Sequence, residues 1–418
     1  MEAFIARQPV FDRSRDVFGY ELLFRSGPEN CFCGTDPDVA TNKLVGDSLS
    51  VHGFETLTSG RRAFINVTKN ILLGDSLSVL PPERSIIELL ETIEPTDEVI
   101  DACRTLREAG YLLALDDFIF EEKFERLLPE MDILKIDFGG TDAAQRRMFA
   151  RQGQDNGYAL LAEKVETYEE FDEAADLGYT YFQGYFFCRP QMISTREIPG
   201  MKLNYLRFID RINQPDIELD ELEQIIRQDV SLTYKLLKYL NSAMFSLRSE
   251  VTSIKHAMAL LGIRSLKKWA SFIAMANIAD DKPSELLTEC LYRARFCELV
   301  GQKCEGGQNR DSELFTLGMF SLLDALVDRP ISELVEGIAI AEDMRDTLLG
   351  DRTQFSPLLE LATALERGDW DRVTALSHWL KVPESTVAEH HQEAILWANS
   401  AGQDNSGSSS TSATRKTA

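Results

Sequence analysis

The chain has 418 residues, 44% of them hydrophobic and 27% charged, enough for two or three domains with substantial cores. Lys and Arg number 44 against 68 Asp and Glu, a net charge of −24, so no sequence-wide basic field exists to grip nucleic acid or an anionic membrane. No apolar run reaches the roughly 18 residues of a membrane span. The opening MEAFIARQPVFD lacks a signal-peptide pattern, and the seven cysteines form no disulfide-type framework, so the expectation is a cytoplasmic protein with reduced thiols.

In chain order, short apolar runs at 4–10, 17–24, 63–67, 85–89, 112–115, 133–136, 159–162 and 181–186 read as strands. Helical patterns, such as 97–109 and 167–177, lie between most of them, which predicts βα units and a parallel sheet. Eight such runs suit a closed barrel, although about 200 residues is short for one. The link from Asp12 to Asp16 is too short for a helical crossover, so the first two strands should form an antiparallel hairpin. From about 201 to 400 the pattern is amphipathic helix throughout. Ile198-Pro199-Gly200 marks the change of texture. The reading divides the chain into 1–198, 199–400 and a polar, Ser/Thr-rich tail at 401–418 expected to be disordered.

Polar residues recur at the ends of the apolar runs. Glu21, Asn66, Glu88, Asp116 with Asp117, Lys135 with Asp137, Glu163 and Gln183 all fall there, and Glu91 and Glu166 follow closely. In a barrel these strand ends converge on one mouth, where active sites are built. Carboxylates gathered at one place repel one another unless cations are bound. Oxygen ligands suit Mg²⁺, Mn²⁺ or Ca²⁺ rather than zinc. A lysine among them could orient a water or neutralise a phosphate. A single acid after a strand is more often a helix cap, and Glu91 and Glu166 are read as supporting residues of that kind.

At these residues the sequence resembles the EAL-domain family of cyclic di-GMP phosphodiesterases. The signature tripeptide corresponds to Glu21-Leu22-Leu23, followed by Phe24 and Arg25. FINVT at 64–68, IELLE at 87–91, LDDF at 115–118, LKIDF at 134–138, AEKVE at 162–166 and QGYFF at 183–187 follow in order. The resemblance implies a modified (βα)8 barrel with one antiparallel strand. It implies metal ligands at Glu21, Asn66, Glu88, Asp116, Asp117 and Glu163, with Lys135 holding the attacking water in a two-metal hydrolysis. It places Gln183 at the same site and Arg25 on the dinucleotide. The implied cofactor is Mg²⁺ or Mn²⁺, the ligand is cyclic di-GMP, and a homodimer is the family expectation. One departure stands out. Active members follow Asp-Asp-Phe with a glycine-containing loop, whereas here Ile119-Phe120-Glu121-Glu122-Lys123 follows, without glycine. That change predicts weak or absent hydrolysis with ligand binding retained.

The second half resembles the HDOD family, an all-α regulatory domain. The matching stretches are Asp229-Val230-Ser231-Leu232, Lys235-Leu236-Leu237, Asn241-Ser242-Ala243, the run from Ser253 to Gly262, and the run from Leu314 to Phe320. None of the five histidines, His52, His256, His378, His390 and His391, precedes an aspartate, so a metal-dependent hydrolase site is not expected here. The half reads as an output module for an unidentified protein partner. Cys290, Cys297 and Cys304 share a helical spacing of seven and read as core packing. Cys31 and Cys33, without a second cysteine pair nearby, give only a weak signal for a redox or metal pair. Glu121-Glu122 and Glu169-Glu170 read as solvated faces. Three functions compete: a cyclic di-GMP sensor, an active phosphodiesterase regulated by the helical half, and a protein–protein adaptor without ligand. An unrelated metal-dependent barrel lyase is disfavoured by the ordered motifs.

Overall fold

The computed structural model describes residues 3–26, 51–74, 76–119, 121–191, 200–214, 216–218, 221–223, 226, 236 and 254–406. The side chains of 3–4, 24–26, 51–53, 254–259 and 402–406 lie outside that description. So do Cys31 and Cys33, the glycine-free loop's Phe120, and most of the HDOD-like stretch from Asp229 to Ala243.

Eight strands close into a barrel in sequence order. They are β1 (Ala3–Asp12), β2 (Val17–Ser26), β3 (Arg62–Val67), β4 (Ser85–Leu89), β5 (Leu112–Leu115), β6 (Ile133–Asp137), β7 (Ala159–Glu163) and β8 (Tyr181–Gln183). β1 runs antiparallel to both neighbours, β2 and β8, and every other pair is parallel. The Asp12 carboxylate accepts from the amides of Ser14 at 2.8 Å and Asp16 at 3.1 Å, which closes the short β1–β2 turn. β8 stops at Gln183, three residues short of the expected 181–186. Gly184 turns the chain there with φ of 146°, and a 3₁₀ turn over Phe186–Cys188 follows.

Strand periodicity explains how the barrel carries a polar site. Val10, Phe64, Ile86, Ala114, Ile133 and Leu161 form one buried apolar layer inside the barrel. Two residues further along five of these strands stand Asn66, Glu88, Asp116, Lys135 and Glu163. Side chains at i and i+2 share a face, so the site residues form the next layer toward the C-terminal ends. The intervening Ile65, Ile87, Leu113, Leu134, Ile136 and Leu160 are buried on the outer face. With both faces covered, the strands read as continuous apolar runs with one polar residue near the end.

The helices between strands begin and end on local signals. Helix α1 spans Val51–Thr58, α2 Asp97–Glu108, α3 Ala143–Asn156 and α4 Tyr168–Leu177. Helices α3 and α4 both start with a capping box, Asp142 with Gln145 and Thr167 with Glu170. Glu170 is thus a cap rather than a simple solvated face. The helical region holds α5 (Gly200–Asn213), α6 (Ile254–Ile278), α7 (Ser284–Gly301) and α8 (Asp311–Phe320). After three short helices come α9 (Ser356–Arg367), α10 (Trp370–Leu380) and α11 (Glu384–Ser406). The last continues into residues read from sequence as tail.

The chain forms two compact units. One joins Met1–Arg189 with Glu360–Asn399, and the other contains Pro190–Leu359 and the residues from Ser400 onward. A single cut near 198 does not anticipate the return of 360–399 to the barrel. Specific bonds hold that return in place. His391 Nε2 donates to Ile5 O at 2.9 Å, Arg7 Nη2 to Asn399 Oδ1 at 2.8 Å, and Asn399 Nδ2 to Thr56 O at 3.1 Å. In the second unit α7 is buried along most of its length, including Cys290 and Cys297. These two cysteines and Cys304 are buried and not in disulfides, consistent with core packing. Burial pushes the Cys304 thiol up to about 11, away from a reactive thiolate.

Candidate metal centre at the barrel mouth

The residues expected from sequence converge. Lys135 is 1% exposed, and its ammonium sits among four carboxylates. Its Nζ is 2.6 Å from Glu163 Oε1, 3.1 Å from Asp116 Oδ1 and 3.4 Å from Glu21 Oε2, and it also bonds Glu88 Oε1. Asn66 Nδ2 donates to Glu21 Oε1 at 2.9 Å, and Gln183 Nε2 donates to Glu21 Oε2 at 2.6 Å. Five other residues singled out in the sequence therefore touch Lys135 or Glu21. Asp117, two residues past the end of β5, is the next ligand candidate, and its carboxylate lies 3.5 Å from Lys164. Arg25 lies in β2, opposite Phe4, with its side chain outside the described residues.

Backbone contacts hold Asp116 and Asp117 in place although no glycine follows. The Asp116 amide donates to Leu89 O in β4 and the Phe118 amide to Lys135 O in β6, both at 2.9 Å. Asp117 between them has φ of 39°, an uncommon value for a side-chain-bearing residue. Lys164, which faces it, has φ of 57°. Two adjacent left-handed residues at one mouth mark a place where the surrounding fold overrides local preference. At Gly184 the reason for glycine is direct. A Cβ there would lie 2.1 Å from Val165 O, and φ is 146°. The close approach sets the exit of β8 immediately after Gln183.

The electrostatics are unusual. Five carboxylates, Glu21, Glu88, Asp116, Asp117 and Glu163, share the mouth with the central Lys135 ammonium and with Lys164 beside Asp117, so acids outnumber these cations. Burial pushes the Glu88 carboxyl well above its usual range, and the neighbouring Glu21 charge adds to this. Burial likewise pushes Glu163 up to about 7, opposed by Lys135. Burial alone would lower the Lys135 value. The surrounding carboxylates, Glu163 first, outweigh it and hold the ammonium well above the ordinary lysine range. The surrounding carboxylates thus favour the charged form of Lys135.

The donor set fits divalent cations. Glu21, Glu88 and Glu163 form one group able to hold an ion, and Asp116, Asp117 and Glu163 form a second, with ligand atoms within 4.8 Å of one another in each. Glu163 belongs to both. Asn66 Oδ1, Glu88 Oε2 and Gln183 Oε1 are buried oxygens without a hydrogen-bond partner. Orphaned buried acceptors carry a desolvation cost that a cation or its water would relieve. Among the described residues both metal-capable groups are in the barrel.

A cavity of about 390 Å³ opens over this layer. Beyond the site residues and Gly184, its lining includes Gln8, Leu23, Lys164, Glu166, Tyr185 and Arg367. Sequence reading left out four of these. Gln8 accepts from Gln183 Nε2 at 3.1 Å, and its inward place in β1 follows from the alternation of that strand. Lys164 was visible as the neighbour of Glu163 and bonds Asp137 Oδ2 at 2.6 Å. Tyr185 is inside the QGYFF run. No local signal marks Arg367. The supporting residues sort as expected in part: Glu166 pairs with Arg189 at 2.9 Å, and Glu91 is exposed and not part of the lining.

The chain also matches known protein families. The EAL domain family model matches residues 61–190 and the HDOD domain model matches residues 198–327. A full-length relative, the uncharacterized protein YuxH of Bacillus subtilis, is 35% identical over 96% of this chain and 98% of its own. The chain belongs to the EAL–HDOD family. The cyclic di-GMP phosphodiesterase CdgJ of Vibrio cholerae is 36% identical over 94% of this chain and 92% of its own. Among solved structures, the Klebsiella pneumoniae BlrP1 complex with manganese and cyclic di-GMP at pH 6 is 26% identical, covering 45% of this chain and 55% of that chain with a TM-score of 0.38. The EAL–HDOD chain shows no helix among the described residues that is long and apolar enough to cross a membrane.

Proposed function

We infer that the EAL barrel binds divalent metal and cyclic di-GMP at its mouth, hydrolyses the dinucleotide slowly or not at all, and passes the bound state to its HDOD half. The observation that carries this reading is the pair of carboxylate groups that share Glu163 around buried Lys135. Glu21, Asn66, Glu88 and Glu163 would hold one ion, and Asp116, Asp117 and Glu163 a second. Mg²⁺ or Mn²⁺ bound there would neutralise phosphate charge and acidify a water. Lys135, whose charged form the carboxylates favour, would present N–H groups to a water or phosphate there. Glu21, bonded by Asn66 and Gln183, is locked in orientation before any ligand arrives. Arg25 is assigned to the dinucleotide by its motif position.

The slow-turnover part of the reading rests on the segment after Asp117. Ile119 there is 66% exposed and Glu121 pairs with Lys123, so the loop carries apolar and acidic groups where active members place glycine. Lys164 also lies 3.5 Å from Asp117 and would compete with a cation for that carboxylate. A second reading, efficient phosphodiesterase, is favoured by the two backbone bonds that fix Asp116 and Phe118 without glycine. Calorimetric titration of the full chain with cyclic di-GMP in Ca²⁺, then in Mg²⁺ or Mn²⁺, with product analysis, separates the readings. Binding without linear product supports the sensor. Binding with turnover that Glu21→Ala abolishes supports the enzyme. No binding in any metal leaves the adaptor.

A further inference from the structure

The cavity lining contains three described cationic residues: Lys135, Lys164 and Arg367. Two of them are already neutralised. Lys135 contacts four carboxylates, and Lys164 contacts Asp137 and Asp117. Arg367 makes no carboxylate contact among the described residues. Its guanidinium instead lies over the Tyr185 ring, 4.9 Å from the centroid. A planar guanidinium packed on a ring keeps its N–H edge free for a forked contact to an anion.

The position of Arg367 is held by its backbone. Arg367 ends α9, and its carbonyl accepts from Gln8 Nε2 of β1 at 3.1 Å. The next residue, Gly368, has φ of 67°, and a Cβ there would come within 2.9 Å of Leu23 Cδ1 of β2. Asp369 then caps α10 by accepting from Arg372 N at 3.1 Å. The α9–α10 corner is thus seated against the barrel, in the same compact unit. It belongs to a stretch beyond both family-model matches, which end at 190 and 327.

We propose that Arg367 is a ligand-binding residue of the barrel site, supplying from the C-terminal α9–α10 corner a charge-assisted contact to a phosphate of the cyclic dinucleotide. This rests on the reading of the site given above. A dinucleotide with two phosphodiester charges must enter a cavity lined by five carboxylates, Glu21, Asp116, Asp117, Glu163 and Glu166, against three cations. Cations bound at the carboxylates serve the inner end. The outer wall needs a positive group that no carboxylate has already claimed, and Arg367 provides it. The C-terminal segment thereby becomes part of the ligand site rather than a separate helical appendage.

The test compares the full-length wild type with Arg367→Ala and Arg367→Lys by calorimetric titration with cyclic di-GMP in Ca²⁺. Arg367→Ala should weaken the dissociation constant at least about 10-fold, as loss of a charged hydrogen bond does. Arg367→Lys should recover most of that loss, because phosphate recognition needs the charge. The rise in melting temperature caused by Ca²⁺ alone should be equal in all three proteins, since Arg367 touches no carboxylate. Equal affinity of wild type and Arg367→Ala overturns the proposal and leaves the reading of the site intact. A loss of the Ca²⁺ effect in Arg367→Ala also overturns it, because the residue would then act through the carboxylates. Absence of cyclic di-GMP binding by the wild type defeats both.

Discussion

Lys135 behaves as an internal cation, and replacing it with methionine tests that description. A single contact at the 3.1 Å found for Asp116 has a gross attraction of about 5 kcal/mol at an effective dielectric constant of 20. Four carboxylates contribute such attractions, and the burial of the ammonium opposes them. Removing one partner from a buried ion cluster costs about 3–5 kcal/mol net, because the remaining charges are left uncompensated. For a unit of this size that corresponds to a fall in melting temperature of about 10 °C. The assay is thermal unfolding of wild type and Lys135→Met in EDTA, followed by titration with Mg²⁺ and Mn²⁺. The variant should melt lower in EDTA and gain more from metal than the wild type does. A divalent ion at 100 times its dissociation constant stabilises by about 2.7 kcal/mol, so much of the deficit should return. If the variant melts within about 2 °C of wild type in EDTA, the four carboxylates are not held by Lys135 and the electrostatic account of the mouth is wrong.

Three further outcomes are expected. Glu163→Gln should weaken metal at both groups, since that carboxylate belongs to each, with affinity falling at least about 100-fold by calorimetry; retention of one full-strength site would show that the groups do not share it. Gly184→Ala should cost about 3 kcal/mol or more in urea unfolding, because its Cβ would meet Val165 O at 2.1 Å; a cost under about 1 kcal/mol would mean that the turn relaxes freely. Burial holds His391 down at about 4 from its usual 6.5. Its folded value is depressed, so the stabilising contribution is complete above 6.5 and is lost as pH falls through 4, about 3 kcal/mol in all. His391→Gln, which keeps a donor for Ile5 O, should flatten urea stability between those two pH values relative to wild type, and parallel profiles would refute the assignment.

Much of the barrel was legible because its strands are buried on both faces. Runs such as Ser85–Leu89 and Ala159–Glu163 carry their own periodicity, and the inward residue near each end is the polar one. Glu88, Lys135 and Glu163 could therefore be picked out by residue type and position, before any contact was known. The hairpin of β1 and β2 was legible for a related reason, since four residues cannot make a crossover. The end of β8 was not, because Tyr185-Phe186-Phe187 reads as strand while the turn depends on the contact between Gly184 and Val165. The pairing of one lysine with four acids was equally hidden, because no strand carries more than two of the groups involved. The return of Glu360–Asn399 to the barrel left no trace in local pattern. Amphipathic helices report that one face is buried, and not against what. The sequence thus determined the order of elements and the chemistry available at each strand end, since both are read within a few residues. Only closure of the barrel, which brings residues 21 and 163 onto one ammonium, and the docking of a helix corner near 367 decided which groups meet.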